Sequence, residues 1–299
     1  MKVLAIINRK AKMFSSTVIN NCLNYLKASN AKIDVEIPDG KEVFLNLIRN
    51  SRNYDFIIIG GGDGTISLAS QVLRIVKIPF TVIPLGRGNS FYKAVYGDVD
   101  PLFLFKKLSK GFIIESIDLG LIENEDKSFV LGASLGIIPD IIQASEKFNF
   151  LGGRLAYSLG ALMKLILGSP KIFSARILIN QERLYYDKYV LISIGLTQYR
   201  AGRFKLFPKA KLNDGFLDLL IVPPVKRLKA IKILRLSVKG EHITLPSIIY
   251  DQVSNIEIEV DGIVPFEVDG DILEPRSKLK ITLMLSSLNV LKPFLLLSQ

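Results

Sequence analysis

Through its first third the chain alternates short apolar runs with segments whose apolar residues recur every three or four positions. "KVLAIIN" (2–8), "KIDVEI" (32–37), "DFIII" (55–59) and "PFTVIPL" (79–85) are predicted strands, and Ser15–Leu26, Lys41–Arg49 and about Thr65–Ile75 are predicted helices. That rhythm predicts a parallel sheet covered by helices, in which ligands bind at the carboxyl ends of strands. Beyond about Asp118 the pattern becomes β-rich: "SFVLGASLG", "KIFSARILI", "YVLISIG", "GFLDLLIV", "NIEIEV" and "KLKITLML" follow with few helices between them. This predicts a mostly antiparallel second domain, interrupted by helices near 152–167 and 226–238. The expected fold class is α/β with two domains, 1–118 and 119–299, the extreme C-terminus packing back on the first.

With 49% hydrophobic residues in 299, the chain can bury a substantial core. A net charge of +11 favours an anionic partner such as nucleotide, nucleic acid or acidic lipid headgroups. The single cysteine, Cys22, rules out an intramolecular disulfide and falls in a helical pattern as a core residue. The start "MKVLAIINRK" is too short in apolar residues for a signal-peptide core. No stretch reaches the roughly 18 uninterrupted apolar residues of a membrane span; "LAYSLGALMKLIL" (155–167) comes nearest and contains Lys164. A cytoplasmic protein that meets a membrane only from its surface is expected.

"FIIIGGGDGTISLAS" (56–70) carries the first chemistry. A strand ending at Gly60 and a helix starting near Thr65 would leave backbone N–H groups exposed in a glycine turn, a plausible cradle for phosphate. The Gly-Lys-Ser/Thr ending of a P-loop is absent, and the third glycine of the dinucleotide fingerprint would fall on Thr65. Asp63 stands among these glycines with two readings: a carboxylate that meets phosphate through Mg²⁺ or a proton, or one that bonds its own turn.

Here the sequence resembles the diacylglycerol kinase and sphingosine kinase catalytic-domain family, and most of all single-chain prokaryotic lipid kinases. "GGGDGTIS" (60–67) is similar to that family's GGDGT signature and "PLGRGNSF" (84–91) to its second loop. "GGRLAYSLGAL" (152–162), "FPKAKLNDGFLDLLIV" (207–222), "VKGEH" (238–242) and "FEVDGDILEP" (266–275) match further blocks in order. The resemblance implies an NAD-kinase-like nucleotide domain followed by a lipid domain, with ATP and Mg²⁺ as cofactors and a lipid alcohol as substrate. It implies that Gly61, Gly62, Asp63, Gly64 and Thr65 hold the phosphates with Gly86, Gly88 and Asn89, that Asn8 contacts nucleotide, and that Lys211, Asp214 and Phe216 hold a structural Mg²⁺. Asp271 takes the place of the family's catalytic Glu, one methylene shorter. "NRKAK" (8–12) replaces an Asn-Pro-x-Ser-Gly type of segment, Arg87 a Thr, and Ser90 an Asp.

The resemblance also covers Asp118, implied to orient the lipid hydroxyl, and His242; plainer readings are Asp269–Asp271 as a hairpin turn, Asp214 as a turn residue, Asp118 as a strand-end acid satisfied by backbone, and the lone His242 as structural. "VKRLKAIKILRLSVKG" (225–240) fits a basic amphipathic helix able to lie on an anionic membrane, or one packed on the β-domain. Arg200, Arg203, Lys205, Lys209 and Lys211 beside Phe204 and Phe207 add to such an interface. No nucleic-acid-binding motif is present, so nucleic acid is not an expected partner; an exposed β edge would suit a homodimer. The rival functions are a kinase of NAD or another soluble alcohol, and a non-catalytic nucleotide- or lipid-binding relative.

Overall fold

A computed structural model describes residues 1–145, 147–148, 159–163, 171–200 and 204–294. The chain forms two units, Met1–Asp118 with Leu285–Gln299, and Leu119–Met284.

In the first unit β1 (Lys2–Ile7), β2 (Lys32–Glu36), β3 (Phe56–Gly61) and β4 (Phe80–Pro84) pair in parallel in the order β4-β3-β1-β2. Every residue of β3 is buried, as an unbroken apolar run covered on both faces requires. At the edge, β2 is mostly exposed and carries Asp34 and Glu36. The connecting helices are α1 (Ser16–Ala28), α2 (Lys41–Arg49) and α3 (Asp63–Val76). Ser15 is the cap of α1, its hydroxyl accepting from Val18 N–H at 3.3 Å, and Cys22 is fully buried on the same helix. Burial pushes the Cys22 thiol up to about 12, so it stays protonated. Two short helices escaped the periodicity reading, α4 (Ser90–Tyr96) and α5 (Pro101–Leu108). The second had a readable start: Asp100 accepts from Leu102 and Phe103 N–H at 2.9 and 3.1 Å, with Pro101 at the first helical position.

The final segment of the chain completes this unit. Val290 pairs in parallel with Phe80, and the left-handed residue that ends α3, Lys77, donates from Nζ to the carbonyls of Ser286 and Ser287 at 3.2 and 3.0 Å. Asn289 Nδ2 returns a bond of 2.9 Å to Lys77 O.

Strand β5 (Phe112–Ile122) leads into the second unit. That unit contains β6 (Lys127–Phe129), β7 (Gly132–Gly136), α6 (Ile137–Ser145), β8 (Phe173–Ile179), β9 (Arg183–Tyr189), β10 (Leu191–Gly195), β11 (Leu217–Val222), α7 (Arg227–Ser237), β12 (Ile249–Val253) and β13 (Asn255–Val268). The last strand, β14 (Asp271–Pro293), begins here and ends in the first unit. Antiparallel pairs give the order β12-β11-β10-β7-β13, with β8 and β9 added beside β13. Helix α6 was not expected. Of the helix expected near 152–167, only residues 159–163 lie among those described, and they are helical. Helices α6 and α7 cover an apolar cavity of about 110 Å³ lined by Ile138, Ile141, Leu220, Ile233 and Leu234, with His242 in its wall. Among the described residues no helix is long and apolar enough to cross a membrane.

Candidate active site

Two glycine loops and an asparagine meet at the carboxyl ends of β1, β3 and β4. Strand β3 runs one residue past Gly60, because Gly60 and Gly61 still pair with Ile83 and Pro84. Helix α3 starts at Asp63, two residues before the expected Thr65. Gly62 acts as its cap, its carbonyl accepting from Thr65 and Ile66 N–H at 2.9 and 3.1 Å, and an acid in the first turn suits the positive helix end. A Cβ on Gly62 would lie 2.8 Å from Gly86 Cα, and one on Gly86 would lie 2.6 Å from Gly62 Cα, so the two loops touch backbone to backbone. A Cβ on Gly61 would lie 2.5 Å from the Thr65 side chain, whereas Gly64 has nothing within 4 Å. The Cβ direction is open at Gly64 and blocked at Gly61 and Gly62.

Asn8 Nδ2 donates to Thr65 Oγ1 at 2.9 Å, Asn8 Oδ1 accepts from Lys10 N–H at 2.9 Å, and Asn8 N–H donates to Gly60 O at 2.8 Å. Asn89, in the left-handed region at φ 52°, accepts from Gly86 N–H at 2.8 Å and donates to Gly86 O at 2.9 Å. Asp63 Oδ1 accepts from Phe91 N–H at 3.0 Å, and a Cβ on Gly88 would lie 3.1 Å from Asp63 Oδ2. The carboxylate thus reaches across to the start of α4 as well as standing at the start of α3. Asn8, Gly61, Gly62, Asp63, Gly64, Thr65, Gly86, Gly88 and Asn89 form one assembly within the first unit. Asp118 is buried in the same unit and accepts from Ser286 N–H at 2.8 Å, as a backbone-satisfied acid does.

In the second unit, β13 and β14 join through a two-residue turn in which Val268 pairs with Asp271. Asp269 and Gly270 have φ 53° and 97°, the double left-handed conformation for which Asp-Gly is suited. The hairpin reading of this block therefore holds, and Asp271 stands exposed at the first residue of β14. The turn is unusually anchored. Asp269 is buried: Oδ2 accepts from Val130 N–H at 2.9 Å, and Oδ1 accepts from Leu131 and Gly132 N–H at 2.8 and 3.0 Å. Fully buried Glu267 pairs with Arg200 and accepts from Gly270 N–H at 2.8 Å, while Arg200 Nη1 donates to Gly132 O at 3.2 Å. Sequence reasoning missed Glu267 and the buried role of Arg200. The readable signal was an acid within an otherwise apolar strand end, "PFEV". Arg200, Phe204 and Phe207 are all buried, which corrects their assignment to a membrane-facing surface; Arg203 lies outside the described residues.

At the loop before β11, Asp214 Oδ1 accepts from Phe216 N–H at 3.2 Å and Oδ2 from Gln252 Nε2 at 3.5 Å, with Gly215 at φ 80°. The turn reading of Asp214 therefore holds. It does not empty the loop of metal chemistry, because Asp218, fully buried on β11, adds a second acid. Asp218 Oδ1 accepts from the Tyr250 hydroxyl, and Oδ2 is buried with no hydrogen-bond partner among the described residues. Burial pushes the Asp218 carboxyl up to about 6; the Tyr250 bond opposes this and the Asp214 charge adds to it. Oxygen donors with excess negative charge suit a hard cation, so the residues fit Mg²⁺. No group of three or more His, Cys, Asp or Glu with metal-holding geometry occurs among the described residues.

His242 is fully buried with Nε2 3.2 Å from Leu206 O, and burial lowers it to about 4, with the carbonyl opposing. On α7, Ala230, Ile233 and Leu234 pack inward while Arg227, Lys229, Lys232 and Arg235 are exposed beside Leu228, itself 83% exposed.

Two family models match: the diacylglycerol kinase catalytic domain over residues 2–122, and the YegS C-terminal NAD kinase beta sandwich-like domain over 133–291. Among curated relatives, a diacylglycerol kinase of Staphylococcus carnosus is 28% identical over 73% of this chain and 71% of its own length. One of Mycobacterium tuberculosis is 27% identical over 81% and 78%. A solved diacylglycerol kinase of Bacillus anthracis str. Sterne shares the fold with TM-score 0.73 at 18% identity, covering 99% of this chain and 98% of that one. An NAD kinase of Archaeoglobus fulgidus, solved in complex with ATP, has TM-score 0.55 at 13% identity over 99% and 95%. The chain belongs to the family that joins a diacylglycerol kinase catalytic domain to a YegS C-terminal NAD kinase beta sandwich-like domain, and is a phosphotransferase acting on an alcohol.

Proposed function

We propose that the protein is an ATP- and Mg²⁺-dependent lipid kinase that phosphorylates the hydroxyl of a lipid alcohol such as diacylglycerol. The observation that carries this reading is the backbone-to-backbone seat of Gly62 on Gly86, with Asn8 and Thr65 tied beside it and Gly64 left open, in a chain whose relatives are named diacylglycerol kinases. Bound ATP supplies the transferable γ-phosphoryl group, and Mg²⁺ offsets phosphate charge. In this reading the N–H groups of Gly62, Asp63 and Gly64 bind phosphate with the Thr65 hydroxyl, and Asp63 holds the two loops in register and meets phosphate through Mg²⁺. Asp271 orients the lipid hydroxyl and takes its proton. Lys211 and Phe216 carbonyls with Asp214 hold a structural cation. The exposed basic face of α7 attaches the protein peripherally to anionic membrane on the cytoplasmic side, each basic residue adding on the order of 1 kcal/mol.

The test is transfer of labelled γ-phosphate from Mg²⁺-ATP to diacylglycerol in mixed micelles, with NAD as an alternative acceptor and Asp271→Ala alongside. Label in the lipid product, lost in the variant, is the expected result. Label in NAD would move the substrate to the soluble class, and ATP binding without any transfer would leave a nucleotide-binding relative.

A further inference from the structure

We infer that Asp269 and the Arg200–Glu267 pair are positioning residues for Asp271, a role that rests on the reading of Asp271 as the base. Asp271 follows a two-residue turn directly, and its short side chain has little reach of its own, so the turn's backbone sets where the carboxylate stands. That backbone is fixed from both sides. The Asp269 carboxylate collects three consecutive N–H groups, from Val130, Leu131 and Gly132, while Asp269 N–H donates to Gly132 O at 2.9 Å. Glu267 takes Gly270 N–H at 2.8 Å, and its partner Arg200 closes the ring on Gly132 O at 3.2 Å.

Gly132 is the common anchor, and nothing larger fits there: a Cβ would lie 2.3 Å from Ile194 O. The anchor belongs to β7, whose partners β10 and β13 flank it on both sides, so the turn is referred to the middle of a sheet instead of a hairpin end. Buried ion pairs are commonly no more stabilising than apolar pairs of the same volume, whereas they do hold geometry. Two buried acids and an arginine around one exposed carboxylate are therefore explained by where that carboxylate must be held. A misplacement of about 1 Å at a reacting group costs on the order of 10²-fold in rate.

Asp269→Asn separates anchoring from turn formation, because Asn-Gly favours the same turn while its amide N–H groups oppose those of residues 130–132. The expected result is faster amide hydrogen exchange at Gly270–Ile272, and a kcat about 10-fold or more lower with KM for ATP within about 2-fold, measured on diacylglycerol micelles. Asp269→Asn added to Asp271→Ala should cost no further turnover. Unchanged exchange at the turn, an unchanged kcat, or losses that add in the double variant would overturn the proposal. If Asp269→Asn does not fold, Arg200→Met with Glu267→Leu removes the second anchor without stranding a charge, and the same three readouts apply. Should Asp271→Ala keep wild-type turnover, the assignment of the base fails by itself, while the exchange rates still decide whether the anchors hold the turn.

Discussion

At Gly62 and Gly86 the first unit brings two loops into contact by having no side chains there, whereas at Glu267 and Asp269 the second unit fixes a turn by burying carboxylates. The difference bears on where an anion can be received. In the Asp269 turn the neighbouring N–H groups of residues 130–132 and 270 already bond to the protein's own acids. In the glycine loop the acid, Asp63, accepts from Phe91 N–H across the assembly, and Gly64 faces open space. The glycine turn thus holds its acid away at α4 and stays open at Gly64, while the Asp269 turn leaves Asp271 exposed. On the proposed reading, the first kind of loop receives the phosphate and the second presents the base.

The sharpest way to break that contrast is Asp63→Asn, expected to lower turnover by at least about 10²-fold. Steady-state kinetics decide it, and near-normal turnover would make Asp63 a structural acid that ties the loop to α4. Next in size, Gly62→Ala should destabilise the fold by roughly 1–3 kcal/mol, since the new Cβ meets backbone and no flexible side chain can yield. Gly64→Ala, into open space, should stay within about 0.5 kcal/mol in the same denaturation series. Equal effects of the two would remove the backbone contact as the reason for the glycines.

Acid sharpens the comparison by acting on the second unit through the only histidine. His242 is neutral in the fold, with a pKa lowered from 6.5 to about 4, so the unfolded chain binds a proton first as pH falls. Its contribution is fully present above about pH 6.5 and is lost as pH drops toward 4, a loss of about 3 kcal/mol at most. His242→Gln should flatten that limb of a stability-against-pH curve; an unchanged slope would mean the ring already charges in the fold. Smallest is the surface effect: Lys229→Glu with Lys232→Glu should weaken sedimentation with anionic vesicles at low salt by a few fold, by the electrostatic increments of single basic residues. Unaltered partitioning would make α7 a cover for the core and nothing more.

Much of this arrangement was readable from residues. The parallel sheet followed from apolar runs long enough only for strands, and Asn8, Asp63 and Asn89 could be grouped because two matched blocks, and the place Asn8 takes in a third, degenerate segment, put them at strand ends. The boundary at Asp63 was not readable, because glycines carry no periodicity and the start of α3 depends on Gly62 acting as its cap. Arg200 and Phe207 were misread for a physical reason: a basic-aromatic stretch looks like a wet interface unless one knows that Glu267, distant in sequence, waits inside for the arginine. Glu267 and Asp218 were missed because a buried acid gives no sequence signal beyond its apolar neighbours. Helices α4 and α5 are too short for a period to show, and only the Asp100-Pro101 cap announced one of them.

The return of the chain at Leu285–Pro293 has a consequence for biosynthesis. Strand β4 gains its outer neighbour only when Val290 arrives, and the end of α3 gains its lysine clasp only with Ser286 and Ser287. At ~5–20 residues per second, the interval between synthesis of the first unit's opening stretch and of its closing strand is on the order of ten to thirty seconds. Throughout that wait a nascent β4 presents an unsatisfied edge, so the first unit, begun before the second, is finished after it.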